Sequence, residues 1–264
     1  MAFLKKYQKT FYYLCSFLLP VAILAFILLT QNIYWNSPTT ILASDGFHQY
    51  VIFAQNLRNI LHGQDSLFYT VTSGLGLNFY ALISYYLGSF LSPFVYFFNL
   101  ETMPDAIYLF TLIKVGLMGL SSYYMLTKLY TKLHRALALA LSLSYSLMSS
   151  AMSQIEINMW LDVFILAPLI ILGLDRLIKN RKVLLYYLAL SLLFIQNYYF
   201  GFMMAIFLVL YSITLLSRLT TWKERLLSFV RFGFISLLAA LTSCVMLLPT
   251  YLDLSTHGEE LTRL

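Results

Sequence analysis

Seven apolar stretches, separated by segments that hold nearly all of the basic residues, leave this chain few ways to fold. They run at 11–30, 106–127, 136–152, 161–178, 183–197, 200–217 and 232–250. A helix of about 20 apolar residues crosses the hydrocarbon core of a bilayer. Only structures that satisfy their own backbone hydrogen bonds survive there, so stretches of this kind read as transmembrane helices. The composition agrees: 60% of the residues are hydrophobic, 11% are charged and the mean hydropathy is +0.77, which excludes an ordinary soluble domain. The sequence therefore predicts an all-α polytopic membrane protein in one module over 1–264. The run from Phe11 to Thr30 follows Lys5, Lys6 and Lys9. It is longer than the apolar part of a cleaved signal peptide and no small-x-small site follows it, so it reads as the first span. Gln31-Asn32-Ile33-Tyr34-Trp35 then reads as its interfacial exit.

Residues 79–98 are apolar enough to pose a question of parity. Gly88-Ser89 and Ser92-Pro93 interrupt them, and such pairs break or kink a helix. If the stretch stays on the outer side, the inner segments hold Lys5, Lys6 and Lys9; Lys128, Lys132 and Arg135; Arg176, Lys179, Arg181 and Lys182; and Arg218, Lys223, Arg225 and Arg231. Only Arg58, Lys114 and Arg263 of the 17 basic residues then lie elsewhere. If it crosses, all but the first three of that inner set move outside. The positive-inside rule thus favours seven spans, a cytoplasmic amino terminus, and an outer loop over 31–105 with interfacial helices at about 48–61 and 79–98. The last span is expected to be followed by a polar outer tail at 251–264.

The same pattern removes other classes. The net charge of +6 orients a membrane protein and does not form a nucleic-acid footprint. Cys15 and Cys244 lie in separate apolar runs and build no disulfide framework. His48 and His62 have no Cys or second acid at a ligand spacing, so a zinc site is not expected. Tyr and Phe, 21 of each, suit side chains at the membrane interface or along a lipid-filled cleft.

The polar residues gather outside. Ser44-Asp45-Gly46-Phe47-His48-Gln49-Tyr50 opens an amphipathic helix whose apolar positions Val51, Phe53, Ala54, Leu57, Ile60 and Leu61 leave Gln49, Gln55, Asn56, Arg58 and Asn59 for polar contacts. Ser73-Gly74-Leu75-Gly76-Leu77-Asn78 reads as a flexible turn. Asp45, Glu156 and Asp162 fall on the outer face, where a carboxylate keeps enough water contact to ionise. The simplest role for Ser44 or Asp45 is a helix cap, and that for Glu156 and Asp162 is a solvated loop. Glu156 with Asn158 offers oxygens to one hard divalent cation, magnesium or manganese, completed by a partner from the first loop. Arg58 is either a snorkelling cation or a clamp on a lipid phosphate. Lys114 lies in mid-span, and reads either as a cavity cation for an anionic headgroup or as the partner of an acid on a neighbouring span.

Several of these motifs occur in the order and spacing of a known family. Ser44-Asp45-Gly46-Phe47-His48-Gln49-Tyr50 with Leu57-Arg58 and Phe68-Tyr69, then Ser73-Gly74-Leu75-Gly76-Leu77-Asn78-Phe79, then Asn158-Met159-Trp160-Leu161-Asp162 running into Pro168-Leu169-Ile170-Ile171-Leu172-Gly173, resemble the YfhO family of bacterial membrane proteins. The resemblance implies a GT-C-type glycosyltransferase that takes a sugar from a polyprenyl-phosphate donor and places it on a cell-envelope acceptor such as teichoic acid. The site would face outward from the bacterial cell membrane. By that resemblance Asp45 would be the catalytic base and Glu156 a second acid for metal or acceptor contacts. The candidate substrate-binding set is His48, Gln49, Arg58, Lys114, Asn158, Trp160, Asp162 and Asn197. Typical members are longer, so the chain would hold the amino-terminal GT-C module. The rival readings are a non-catalytic lipid-carrier binding protein, a flippase or a small transporter.

Overall fold

The structure is a computed structural model. It describes residues 2–72 and 76–261, with side chains described for 7–72 and 76–255. Of the expected features, the Ser73-Gly74-Leu75 part of the flexible turn, the Lys5 and Lys6 side chains and Arg263 lie outside the described residues.

The described chain is helical, with one isolated bridge between Thr70 and Leu77. The helices are α1 (Ala2–Thr30), α2 (Val51–Leu61), α3 (Phe79–Leu82), α4 (Met103–Leu129), α5 (Arg135–Ser146), α6 (Ser149–Met152), α7 (Asn158–Asn180), α8 (Leu184–Gln196), α9 (Tyr198–Leu216), α10 (Trp222–Thr242) and α11 (Cys244–Leu261). A π-helical turn, Gly46–Tyr50, leads into α2; a second, Ile83–Leu87, follows α3; and a 3-10 turn covers Ser92–Phe97. Among the described residues, four helices are long and apolar enough to cross a membrane: α1 from Tyr7, α4, α9 and α10. Of the other expected spans, α5 has 12 residues, α8 has 13, and α7 has 23 but carries Asp162, Asp175, Arg176 and Lys179.

Three boundaries differ from expectation. The 136–152 stretch breaks into α5 and α6 at Leu147-Met148, where Met148 is extended. The hydroxyls of Ser142, Ser144 and Ser146 all donate back to carbonyls three or four residues earlier, a pattern that bends helices. The 232–250 stretch straddles two helices, because α10 starts at Trp222 and ends where Ser243 donates to the Ser191 and Ala239 carbonyls. The last expected span also has no boundary at 250, because α11 runs from Cys244 through to Leu261, into the stretch expected as a polar outer tail. In contrast, the 79–98 stretch is broken as the Gly-Ser and Ser-Pro pairs require. Its longest continuous piece, 79–87, reaches about 14 Å at 1.5 Å per residue, half of what a span needs.

The chain divides into two compact units. The first comprises 1–55 and 97–169. There α1 and α5 pack on α4, which is 72% buried over its most apolar window against 22% for α1. Phe11, Leu14, Leu18, Phe26 and Ile27 of α1 are left exposed, as a lipid-facing surface requires. The close approach of α1 to α4 depends on Gly119, where a Cβ would sit 2.2 Å from the Ser16 carbonyl oxygen. The second unit comprises 56–96 and 170–264 and is assembled around α8. Tyr186 is fully buried and its hydroxyl meets that of Ser236 at 2.8 Å. Thr250 of α11 donates to the Ser84 hydroxyl at 2.7 Å, and Tyr80 donates to the Val245 carbonyl, which ties the broken 79–87 segment to α11.

Candidate functional site

In the first unit, the segment between α1 and α2 is held by its own polar groups. Asn32, Asn36 and Ser44 all take left-handed backbone conformations, and the Asn36 amide donates to Asp105 in the first turn of α4 at 2.8 Å. The turn over 43–46 closes when the Gly46 amide donates to the Ala43 carbonyl at 2.8 Å. The Ser44 carbonyl then accepts from the amides of Phe47 and His48. Asp45 is carried at the apex with its side chain exposed. It precedes the π-helical turn yet makes no side-chain cap bond, so the capping role open to it in sequence is not the one it takes. Instead its Oδ1 accepts from the Gln49 side-chain amide at 3.2 Å. Residues 45 and 49 are four apart, the spacing at which side chains on one helical face meet.

Glu156 approaches the same turn from the loop between α6 and α7. A Cβ built on Gly46 would lie 3.7 Å from both Glu156 Cβ and Oε2, so the acid's side chain rests against the backbone next to Asp45. Glu156 Oε2 is shielded from solvent and has no hydrogen-bond partner. Leaving a carboxylate oxygen buried and unsatisfied is costly, so such a group calls for a partner: a water, an ion or a ligand. Glu156 thus rests against the residue that follows Asp45, and the two acids differ: Asp45 is exposed and oriented by Gln49, whereas Glu156 is half-buried with its Oε2 unsatisfied.

Beneath them lies a closed polar network. Lys114 sits 11 residues into α4, about 17 Å along its axis, and is 1% exposed. Its Nζ donates to the Asn158 carbonyl at 3.0 Å, the Asn158 Oδ1 at 2.6 Å and the Asp162 Oδ2 at 2.7 Å. An ammonium has three protons, and three acceptors take them. The Asn158 side-chain amide donates to Thr111, whose hydroxyl donates to the Ile107 carbonyl. Of the two sequence readings of Lys114, the structure takes the pairing with an acid. Asp162 is correspondingly no solvated loop residue: α7 begins at Asn158, and Asp162 is 1% exposed inside it. Asp162 lies six residues from Glu156, a spacing that puts the two acids on different helix faces. The signal missed in the sequence was Asn158 to Asp162, an i,i+4 pair on one helix face opposite a mid-span lysine.

The other candidates are distributed as follows. His48 is exposed and edge-on to Phe47, and Trp160 is half-buried in the first turn of α7. Arg58 belongs to the second unit and donates to Asn59 and Gln64, at 3.2 and 3.4 Å. Asn197, also there, is fully buried; it caps α9 by accepting from the Phe200 amide at 3.0 Å, and donates to the Tyr85 carbonyl.

Among the described residues no three His, Cys, Asp or Glu side chains converge on a point. The donor set therefore does not make an all-protein cage. Magnesium and manganese do not need such a cage, since they keep waters and fill their coordination with phosphate oxygens. The second unit contains two adjoining cavities that sequence reasoning did not find, because they are made by packing. One, of about 490 Å3, is lined by Asn78, Tyr85, Tyr86, Tyr198 and Asp253 among others. The other, of about 390 Å3, is lined by Phe194, Phe202, Leu247 and Tyr251, and shares Tyr198, Thr250 and Leu254 with the first. Polar and aromatic at one end and almost wholly apolar at the other, the two together match an amphiphile.

No curated protein and no solved structure matches the chain. A family model does, over residues 16–264, and its description is that of the bacterial membrane protein YfhO. With helices long and apolar enough to cross a bilayer, and with nearly the full length matched, this chain belongs to the YfhO family of bacterial membrane proteins.

Proposed function

We propose that this chain acts as a GT-C-type glycosyltransferase, moving a sugar from a polyprenyl-phosphate donor to a hydroxyl of a cell-envelope polymer such as teichoic acid. The site would lie on the outer face of the bacterial cell membrane, where the basic residues and the positive-inside rule put the Asp45 loop. The observation that carries the reading is Glu156 Oε2, buried and unsatisfied beside the turn that presents Asp45.

Asp45 takes the proton from the acceptor hydroxyl as its oxygen attacks the anomeric carbon. The bond from that carbon to the phosphate oxygen breaks, and polyprenyl phosphate departs as an anion. A leaving group that is already anionic needs no strong general acid, and attack from the opposite face inverts the anomeric centre. Gln49 holds Asp45 Oδ1 and so directs the remaining lone pairs. Glu156 would hold a magnesium or manganese ion, which when bound neutralises phosphate charge. His48, three residues after Asp45, and Trp160, at the start of α7, contact the sugar or the acceptor in this reading. The Lys114, Asn158 and Asp162 network supports the site from below, keeping the start of α7, and with it Glu156, in place.

A second reading, a non-catalytic carrier-binding protein or flippase, is favoured by the cleft and groove of the second unit, whose chemistry suits a lipid-linked sugar whether or not transfer follows. Replacing Asp45 by Asn separates the two. It keeps the side-chain volume and the Oδ1 contact with Gln49 while removing the base. Transfer reading predicts loss of polymer glycosylation by at least about 100-fold with donor binding retained. Glycosylation near the wild-type rate would refute the base assignment.

A further inference from the structure

At the other end of the first unit, α1, α4 and α5 bring three cations to one cavity of about 190 Å3. Lys9, Lys128 and Arg135 come from three different helices, and Tyr13, Thr127 and Thr131 add hydroxyls. No acidic residue lines the cavity. Among the described residues the two ion pairs, Lys114 with Asp162 and Lys179 with Asp175, lie elsewhere, so none of the three cations is matched by a carboxylate. Their own contacts are weak. Lys9 and Lys128 hover 6.0 and 5.7 Å from the rings of Tyr13 and Tyr124, and Arg135 donates to the Gln8 side chain at 3.3 Å. A guanidinium has five donors, so most remain available.

Three like charges facing one small volume repel unless an anion joins them. The first turn of α5, a 12-residue helix whose cap residue His134 makes no side-chain cap bond, adds the positive end of its dipole. We propose that this cavity binds a phosphoryl anion, and that an anionic phospholipid headgroup supplies it. The cavity has room for a phosphate and a few waters but not for a lipid-linked sugar. Its tyrosines Tyr13, Tyr123 and Tyr130 give the aromatic setting of a headgroup layer. Basic pockets between helix ends are the general form of cytoplasmic-leaflet lipid sites, and the positive-inside rule assigns this end to the cytoplasm. The site is separate from the carboxylate pair: Lys128 lies 14 residues beyond Lys114 on α4, about 21 Å along the axis.

The test uses the full chain purified in neutral detergent and titrated with phosphatidylglycerol, phosphatidylcholine or inorganic phosphate, with thermal unfolding and native mass spectrometry as readouts. Phosphatidylglycerol is expected to stabilise and to remain bound where phosphatidylcholine does not. Lys128→Gln with Arg135→Gln should weaken its binding about 30-fold. Because Arg135 also meets Gln8, a second variant, Lys9→Gln with Lys128→Gln, alters only exposed side chains and should weaken binding similarly. Lys182→Gln with Lys223→Gln removes the same charge elsewhere and should leave binding unchanged. If inorganic phosphate at millimolar concentration stabilises equally, and the pocket variants abolish that, the phosphoryl site stands with a soluble source. Equal binding of the two lipids, or equal weakening by the control variant, would overturn it.

Discussion

Removing the Lys114 ammonium while keeping its bulk, as Lys114→Met, leaves the Asp162 carboxylate buried at 1% exposure without its countercharge. The same change strips both Asn158 acceptors of their donor. Breaking one side of a buried ion pair costs about 3–5 kcal/mol, because the survivor is left uncompensated. A unit whose whole stability is of order 5–15 kcal/mol would be close to its limit. Removing both charges, Lys114→Met with Asp162→Leu, eliminates the stranded carboxylate. What remains is the unsatisfied Asn158 carbonyl and amide oxygen, at about 1–3 kcal/mol. The double variant is therefore expected to regain about 2 kcal/mol over the single one, a coupling characteristic of residues in direct contact. Reversible unfolding in mixed detergent micelles on the four members of the cycle would measure it. A double variant no more stable than Lys114→Met would refute the reasoning. The cycle also speaks to function: if Lys114 served a donor phosphate, the recovered double variant would be folded and inactive, whereas a structural tie predicts that transfer recovers with stability.

Three further perturbations test other parts of the structure. Gly46→Ala places a methyl at ordinary contact, 3.4 Å from Leu42 and 3.7 Å from Glu156 Oε2; stability should change by less than about 1 kcal/mol while covering of the Glu156 carboxylate lowers transfer by at least about tenfold, and unaltered steady-state transfer would remove Glu156 from the site. Gly119→Ala forces a Cβ to 2.2 Å from the Ser16 backbone and should cost about 1–3 kcal/mol in the unfolding assay, whereas Gly233→Ala, with nothing within 4 Å, should cost nothing measurable. Asn197→Ala removes the α9 cap and should destabilise by about 1 kcal/mol without changing the KM for donor; a raised KM at unchanged stability would refute a purely structural role.

The membrane class, the broken 79–98 segment and the family were legible in the sequence because each rests on local chemistry: apolar length, the placement of Lys and Arg, glycine and proline in a helix, and a run of short motifs. The positions of most helices followed from the same cause. The break at Leu147-Met148 and the start of α10 at Trp222 were less legible, since serine back-bonding and a hydroxyl bridge from Ser243 to Ser191 are decided by where neighbouring turns lie. Asp45 and Glu156 were nominated from sequence, but a list of carboxylates says nothing of their difference. Only tertiary structure makes one exposed and Gln49-bound and leaves the other half-buried with one oxygen unsatisfied, because the packing of the α6–α7 loop on Gly46 determines which oxygen meets water. Likewise, Lys114 was conspicuous in the sequence as a mid-span charge. Its commitment to Asn158 and Asp162 was decided by α7 packing against α4, since burial tolerates a charge only where three acceptors meet it.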